Sequence, residues 1–134
     1  MELKKCFYYD IVEISRLEGE LLKMYEVCMQ MLKISHSPYS RIRVGAAVLT
    51  ENSKLTGGTN IENSALGETI CAERNALFQA ITEYPHEKIK AIMILTDGIN
   101  GVFAPCGACR QVMIEISRKQ NSTFTVFFPM DKKH

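Results

Sequence analysis

Two short segments, Cys71-Ala72-Glu73-Arg74 and Pro105-Cys106-Gly107-Ala108-Cys109, constrain this chain more than anything else in it. Three thiols and a carboxylate set out this way suit a single metal ion. Any fold that uses them together must bring position 71 to positions 106 and 109. Zinc that does chemistry usually takes three protein ligands and keeps its fourth position for water. Cys71, Cys106 and Cys109 supply three. Glu73 lies two residues past the first, near enough to move protons without binding the metal.

Other uses of C-x-x-C compete with this reading. A structural zinc site is normally closed by four ligands. The fourth would have to be Cys6, Cys28, His36, His86 or His134, and the histidines show no ligand spacing. Cys28 lies on an apolar stripe and reads as core. A redox motif would place C-x-x-C after a first strand, with no distant third thiol.

The chain's 134 residues read as one domain, 1–134, with residues 1–14 as a loose extension. Its 46% apolar and 23% charged fractions are those of a globular protein. The net charge is +1, and the 16 Lys and Arg residues are scattered. Nucleic-acid binding needs a basic stripe, so no nucleic-acid partner is expected. No apolar run reaches membrane-spanning length and no signal-peptide core is present, so a cytoplasmic protein without a membrane partner is expected. Five cysteines, two of them in C-x-x-C, fit metal chemistry in a reducing compartment better than disulfides.

Apolar residues at Leu17, Leu21, Met24, Tyr25, Cys28 and Met31 or Leu32 predict a helix over 15–34 with one buried stripe. Pro38 ends it. Val44 to Leu49 and Lys54 to Ile61 read as strands of a hairpin around the turn at Glu51-Asn52-Ser53-Lys54. A second helix is expected over 70–82, stopped by Pro85. Ile89 to Leu95 reads as a strand covered on both faces. A third helix over 107–117 and a last strand over 123–128 complete the order. Helix, two strands, helix, strand, helix, strand favours a sheet between helices, an α/β fold.

Both cysteine segments fall at helix starts. Unpaired N–H groups and the positive end of the helix dipole favour thiolates there. Two such starts aimed at one zinc would gather the ligands and offset their charge. Arg74, three residues after Cys71, and Arg110, directly after Cys109, are expected to offset it further. Zinc can bring the pKa of a water it holds down to about 7, and Glu73 is placed to shuttle the protons. The same signature, with a three-cysteine version, marks the zinc deaminases.

The chain resembles the small homotetrameric cytidine deaminases. Five motifs carry the resemblance: Ser37-Pro38-Tyr39-Ser40, Val44-Gly45-Ala46-Ala47, Gly58-Thr59-Asn60-Ile61-Glu62-Asn63, Thr69-Ile70-Cys71-Ala72-Glu73-Arg74, and Pro105-Cys106-Gly107-Ala108-Cys109-Arg110-Gln111-Val112. It implies a three-layer α/β/α sandwich with a mixed five-stranded sheet. It implies zinc on Cys71, Cys106 and Cys109, and Glu73 as the proton shuttle. The Ala72 backbone would contact the pyrimidine, and Asn60 and Glu62 the ribose 3′-hydroxyl. Tyr39 would lie near a subunit boundary at the active site. The implied reaction converts cytidine or 2′-deoxycytidine to uridine or 2′-deoxyuridine with release of ammonia, in pyrimidine salvage. A carboxylate such as Glu62 accepts well from sugar hydroxyls and repels a phosphate, which favours a free nucleoside.

The chain departs from the family pattern at three places. Ile42 stands where the family usually has a Phe packed on the pyrimidine, which forgoes about 0.5–1.5 kcal/mol of aromatic geometry. Arg43 replaces a frequent Pro or Gln. Family members also continue for some tens of residues beyond the last strand, with an aromatic that reaches a neighbouring subunit's site, whereas this sequence stops at His134. Two alternatives follow: a deaminase of a related aminopyrimidine such as a blasticidin-type nucleoside, or a non-catalytic, zinc-stabilised assembly subunit. At the other end, Phe7, Tyr8, Tyr9, Ile11 and Ile14 are candidates to pack on an open sheet edge, with a partly ordered tail the plainer reading.

Overall fold

The structure, a computed structural model, describes residues 10–97, 99 and 101–130. The elements follow the expected order: α1 (Gly19–Lys33), β1 (Arg43–Thr50), β2 (Leu55–Thr59), α2 (Ala72–Glu83), β3 (Ile89–Asp97), α3 (Gly107–Gln120) and β4 (Thr125–Phe127). Strand order is β2-β1-β3-β4. β1 runs antiparallel to both β2 and β3, and β4 lies parallel to β3, so the sheet is mixed. Among the described residues it has four strands, against the five that the resemblance implies.

β1 shows why the sheet needs helices on both faces. Its residues alternate between two cores. Val44, Ala46 and Val48 pack with Ala72, Ala76 and Leu77 of α2 and Cys109, Met113 and Ile116 of α3. Ala47 and Leu49 pack with Met24 and Cys28 of α1. Successive side chains of a strand point to opposite faces, so this run of small and branched apolar residues is buried throughout. β3 divides in the same way, Ile92 and Ile94 to one side and Ala91 and Met93 to the other. Cys28 belongs to this core, where its thiol donates to the Met93 carbonyl at 3.3 Å. The result is the expected three-layer sandwich.

Two glycines let the layers close. A Cβ on Gly45 would meet the Cys28 carbonyl oxygen of α1 at 2.3 Å, and one on Gly58 would meet the Ala76 nitrogen of α2 at 2.4 Å. Each helix therefore lies directly on strand backbone.

Several boundaries differ from the expectation. The first helix begins at Gly19, because Glu18 is extended and Gly19 has φ +57°; a single 3-10 turn, Ile14–Arg16, stands apart from it. Ile11 and Ile14 do not cover a sheet edge; they are 74% and 59% exposed. Phe7, Tyr8, Tyr9, Cys6 and His134 lie outside the described residues. β2 stops at Thr59, two residues early, because Ile61 turns away to exchange backbone hydrogen bonds with Ile70. α3 runs three residues further, to a left-handed cap at Asn121, with Arg118 and Lys119 in its last turn suiting the dipole.

Candidate metal centre

The chain reverses at Ile61, and that reversal assembles the site. Ile61 and Ile70 bond in both directions, at 2.9 and 3.0 Å, closing the loop 62–69 into a clasp. Asn60 and Glu62 are thereby held beside the segment that enters α2. Asn75, in the first turn of α2, donates to the Thr59 carbonyl at 3.0 Å and ties the helix to the end of β2.

Cys71 and Cys106 occupy equivalent places. Each is the extended residue just before a helix, with φ,ψ of −71°,150° and −67°,169°. Neither helix has a side-chain cap hydrogen bond, so the first N–H groups of each are left without a capping side chain. Cys109 follows on the first turn of α3 and is fully buried, whereas Cys106 is exposed. The Sγ atoms of Cys106 and Cys109 are 3.4 Å apart, and those of Cys71 and Cys106 are 3.9 Å apart. All three ligand atoms lie within 4.8 Å of one another. Tetrahedral zinc with Zn–S near 2.3 Å requires sulfurs about 3.8 Å apart. The donor set and its spacing fit zinc. Among the described residues no fourth His, Cys, Asp or Glu joins the group.

Local electrostatics prepare the sulfurs for a cation. Hydrogen bonding from the Cys109 thiol, opposed by partial burial and aided by Arg74, brings the Cys71 thiol down to about 5. The Cys71 thiolate and burial in turn push Cys109 up. A metal ion held by these sulfurs would take the place of the proton so shared. Arg74 Nη2 donates to the Cys71 sulfur and to the Thr69 carbonyl, both at 3.3 Å. Arg110 does not join it. Its Nε donates instead to the Pro105 carbonyl at 2.8 Å, fixing the entry to α3 rather than offsetting thiolate charge.

Glu73 is 3% exposed, one turn-position inside α2. Burial raises its carboxyl above the ordinary value, and the charge on Cys71 acts in the same direction. Ala72 beside it is fully buried. Ile42 is partly buried against the same core cluster, together with Cys71 and Phe103. Phe103 was not singled out from sequence, because it lies in a loop without periodicity; its position three residues before Cys106 was the available signal.

Asn60 and Glu62, the residues expected to contact a sugar, are also committed to protein. Asn60 is 7% exposed and bonds to both neighbours of Arg43 in the chain. The Glu62 carboxylate accepts the Tyr39 N–H at 2.9 Å, the Ser40 N–H at 3.2 Å and the Ser40 hydroxyl. The Ser40 hydroxyl first, with those N–H groups, holds Glu62 below the ordinary carboxylate value. Tyr39 is 54% exposed. Ser40 and Ser35 stood inside or beside motifs without a role of their own.

Residues 19–125 match the model of the family described as the cytidine and deoxycytidylate deaminase zinc-binding region. The chain belongs to that family. A probable cytidine deaminase from Dictyostelium discoideum is 42% identical over 98 residues, 73% of this chain and 66% of that protein. A cytidine deaminase from Halalkalibacterium halodurans is 48% identical over 82 residues, 61% of each. The chain thus spans just under two-thirds of the length of these relatives. The crystal structure of cytidine deaminase from Burkholderia pseudomallei superposes with a TM-score of 0.72 at 35% identity, covering 84% of this chain and 85% of that one. That of cytidine deaminase from Mycobacterium tuberculosis gives 0.63 at 32% identity, with 73% and 78% covered. Zinc is the metal of this deaminase family's described region, and the three-cysteine cluster is where this chain fits it. No described helix is long and apolar enough to cross a membrane.

Proposed function

We propose that this deaminase-family protein catalyses hydrolytic deamination of cytidine and 2′-deoxycytidine, releasing ammonia and the corresponding uracil nucleoside. The observation that carries the reading is the buried Glu73 beside a three-sulfur cluster that no fourth His, Cys, Asp or Glu joins among the described residues. Zinc held by Cys71, Cys106 and Cys109 would supply Lewis acidity to a water at its open position. Glu73 takes a proton from the attacking water and returns it to the ring nitrogen beside the amidine carbon. It then carries the second proton to the departing amine. One C–O bond forms, one C–N bond breaks, and the carboxylate ends as it began. Burial keeps competing water away from that shuttle.

The remaining roles follow the resemblance and the placement. The Ala72 backbone faces the pyrimidine and Ile42 covers the base. Asn60 and Glu62 address the sugar. Glu62 keeps acceptor capacity for a hydroxyl after its three bonds to Tyr39 and Ser40, since a carboxylate has about four acceptor positions. Tyr39, exposed on the loop that Glu62 holds, suits a subunit boundary in a homotetramer. The setting is cytoplasmic pyrimidine salvage. Ile42 in the base position favours one second reading, a related aminopyrimidine nucleoside as substrate.

A timed ultraviolet assay of cytidine with zinc-loaded protein tests the proposal. Conversion to uridine is expected, abolished in Glu73→Gln with zinc still bound. Wild-type protein that holds zinc and leaves cytidine unchanged at high enzyme concentration sinks it.

A further inference from the structure

Asn60 sits where β2 leaves the sheet, and its side chain is more than nine-tenths buried. Its Oδ1 accepts from the Val44 N–H at 2.9 Å and from the Ser35 hydroxyl at 2.6 Å. Its Nδ2 donates to the Ile42 carbonyl at 2.9 Å. An N–H and a C=O two residues apart can both be served only with oxygen toward Val44 and nitrogen toward Ile42, so the amide has one orientation. Both acceptor positions of Oδ1 and one of the two Nδ2 hydrogens are used.

The segment that this amide grips is held on one side by β3, at Arg43 and Val44. On the other side the β1–β2 ladder begins only at Gly45 and Thr59, and beyond it the backbone supplies just the Asn60 N–H to the Val44 carbonyl, which leaves the Val44 N–H and the Ile42 carbonyl to the Asn60 side chain. Arg41, just before, has φ +60°, a left-handed conformation that is uncommon for a non-glycine residue. The Asn60 side chain supplies what a longer β2 would have supplied: an acceptor for Val44 and a donor for Ile42. Ser35, from the end of the α1 connection, braces it.

We propose that Asn60 is a positioning residue: its amide, braced by Ser35, sets the Ile42–Val44 backbone and so places the Ile42 side chain against the substrate's base. The inference rests on the deaminase reading and extends it, because a sugar contact alone would use only the one Nδ2 hydrogen that remains.

The test compares zinc-loaded wild type and Asn60→Ala on cytidine and on 3′-deoxycytidine, which lacks the hydroxyl a sugar contact would use. The expected loss is about 10-fold in kcat/KM, the worth of one to two hydrogen bonds, carried by KM and present on both substrates. A loss below threefold on 3′-deoxycytidine overturns the inference. In an Ile42→Ala background the same substitution should cost less than threefold. An undiminished loss there also overturns it, since a residue that merely held the fold would cost the same with either side chain at 42. Should Asn60→Ala fail to fold by circular dichroism and zinc content, Ser35→Ala decides. Two- to fivefold loss on both nucleosides, restored by Ser35→Thr, supports the inference, and wild-type rates overturn it. Wild-type protein that converts neither nucleoside overturns the deaminase reading itself, a failure distinct from the others.

Discussion

Gly58→Ala is the sharpest test of how the sheet positions the metal centre. The added Cβ would lie 2.4 Å from the Ala76 nitrogen, 2.7 Å from the Ala72 carbonyl oxygen and 2.8 Å from the Ala76 Cα. All three are backbone atoms of α2, so no side chain can swing aside. Reaching ordinary contact near 3.4 Å requires α2 to lift by about 1 Å. Overpacking of this kind costs about 1–3 kcal/mol, and replacing a strand glycine by alanine returns about 0.5–1 kcal/mol. A net loss of up to about 2.5 kcal/mol remains. For 134 residues the unfolding entropy is about 0.28 kcal/mol/K, so Tm falls by up to about 9 °C. The lifted end of the helix carries Cys71 and Glu73, and a misplacement of about 1 Å at a reacting centre can cost about 10²-fold in rate. Gly45→Ala is the matched control. Its Cβ would meet the Cys28 carbonyl oxygen at 2.3 Å, on the α1 face away from the metal. Calorimetry, zinc titration and the deamination assay should show both variants destabilised and only Gly58→Ala impaired in zinc binding and turnover. Equal zinc affinity and equal rate per bound zinc in the two variants would refute the argument that α2 is registered on Gly58.

Two further outcomes follow from the charged groups. Arg74→Gln removes the cation that donates to the Cys71 sulfur, and metal affinity should fall by about 10–100-fold, read by competition with a chromogenic chelator. Glu62 is held below its ordinary carboxylate value of 4.5 by the Ser40 hydroxyl and the Tyr39 and Ser40 N–H groups. A depressed carboxylate contributes stability above its unfolded pKa and loses it as pH falls through the lower folded value. Urea midpoints should therefore separate Glu62→Gln from wild type at pH 7, with the variant the less stable, and converge as pH falls below the ordinary carboxylate value of 4.5; curves that stay parallel throughout acid pH would count against the cap.

The sequence made the metal centre legible because its residues are close together along the chain and chemically unusual. C-x-E and P-C-x-x-C sit at helix starts, and helix starts are readable from turn residues and the periodic run that follows. The sandwich was legible for a similar reason: β1 and β3 are continuous apolar runs, which only a sheet covered on both faces can bury. The roles of Asn60 and Arg110 beyond their motifs were not legible. Asn60 reads as a polar residue after a strand, and nothing local reveals that its amide meets Ile42 and Val44, at separations of 18 and 16 residues. Arg110 follows a thiolate ligand, and proximity in sequence suggested a charge partner. The helix instead directs it to the Pro105 carbonyl, five residues back. The β2 boundary failed for a tertiary reason: Ile61 has strand propensity, but Ile70 competes for it and wins with two backbone bonds.

That competition explains why Asn60 and Glu62 sit beside the metal centre. Had β2 continued in register, Asn60 and Glu62 would have extended along the edge of the sheet, away from the start of α2. The Ile61–Ile70 exchange turns the chain back, so that Glu62 follows the clasp on one side and Cys71 on the other. The Glu62 carboxylate then closes the loop at Tyr39 and Ser40, and Asn60 closes the entry to β1. The residues proposed for sugar and for metal thus share the Ile61–Ile70 pair and the Gly58 contact against α2, alongside the backbone bonds of His36 to Asn60 and Glu62 and the Asn75 bond to Thr59. A change at either point moves both groups together, so binding and chemistry should be lost in step rather than separately.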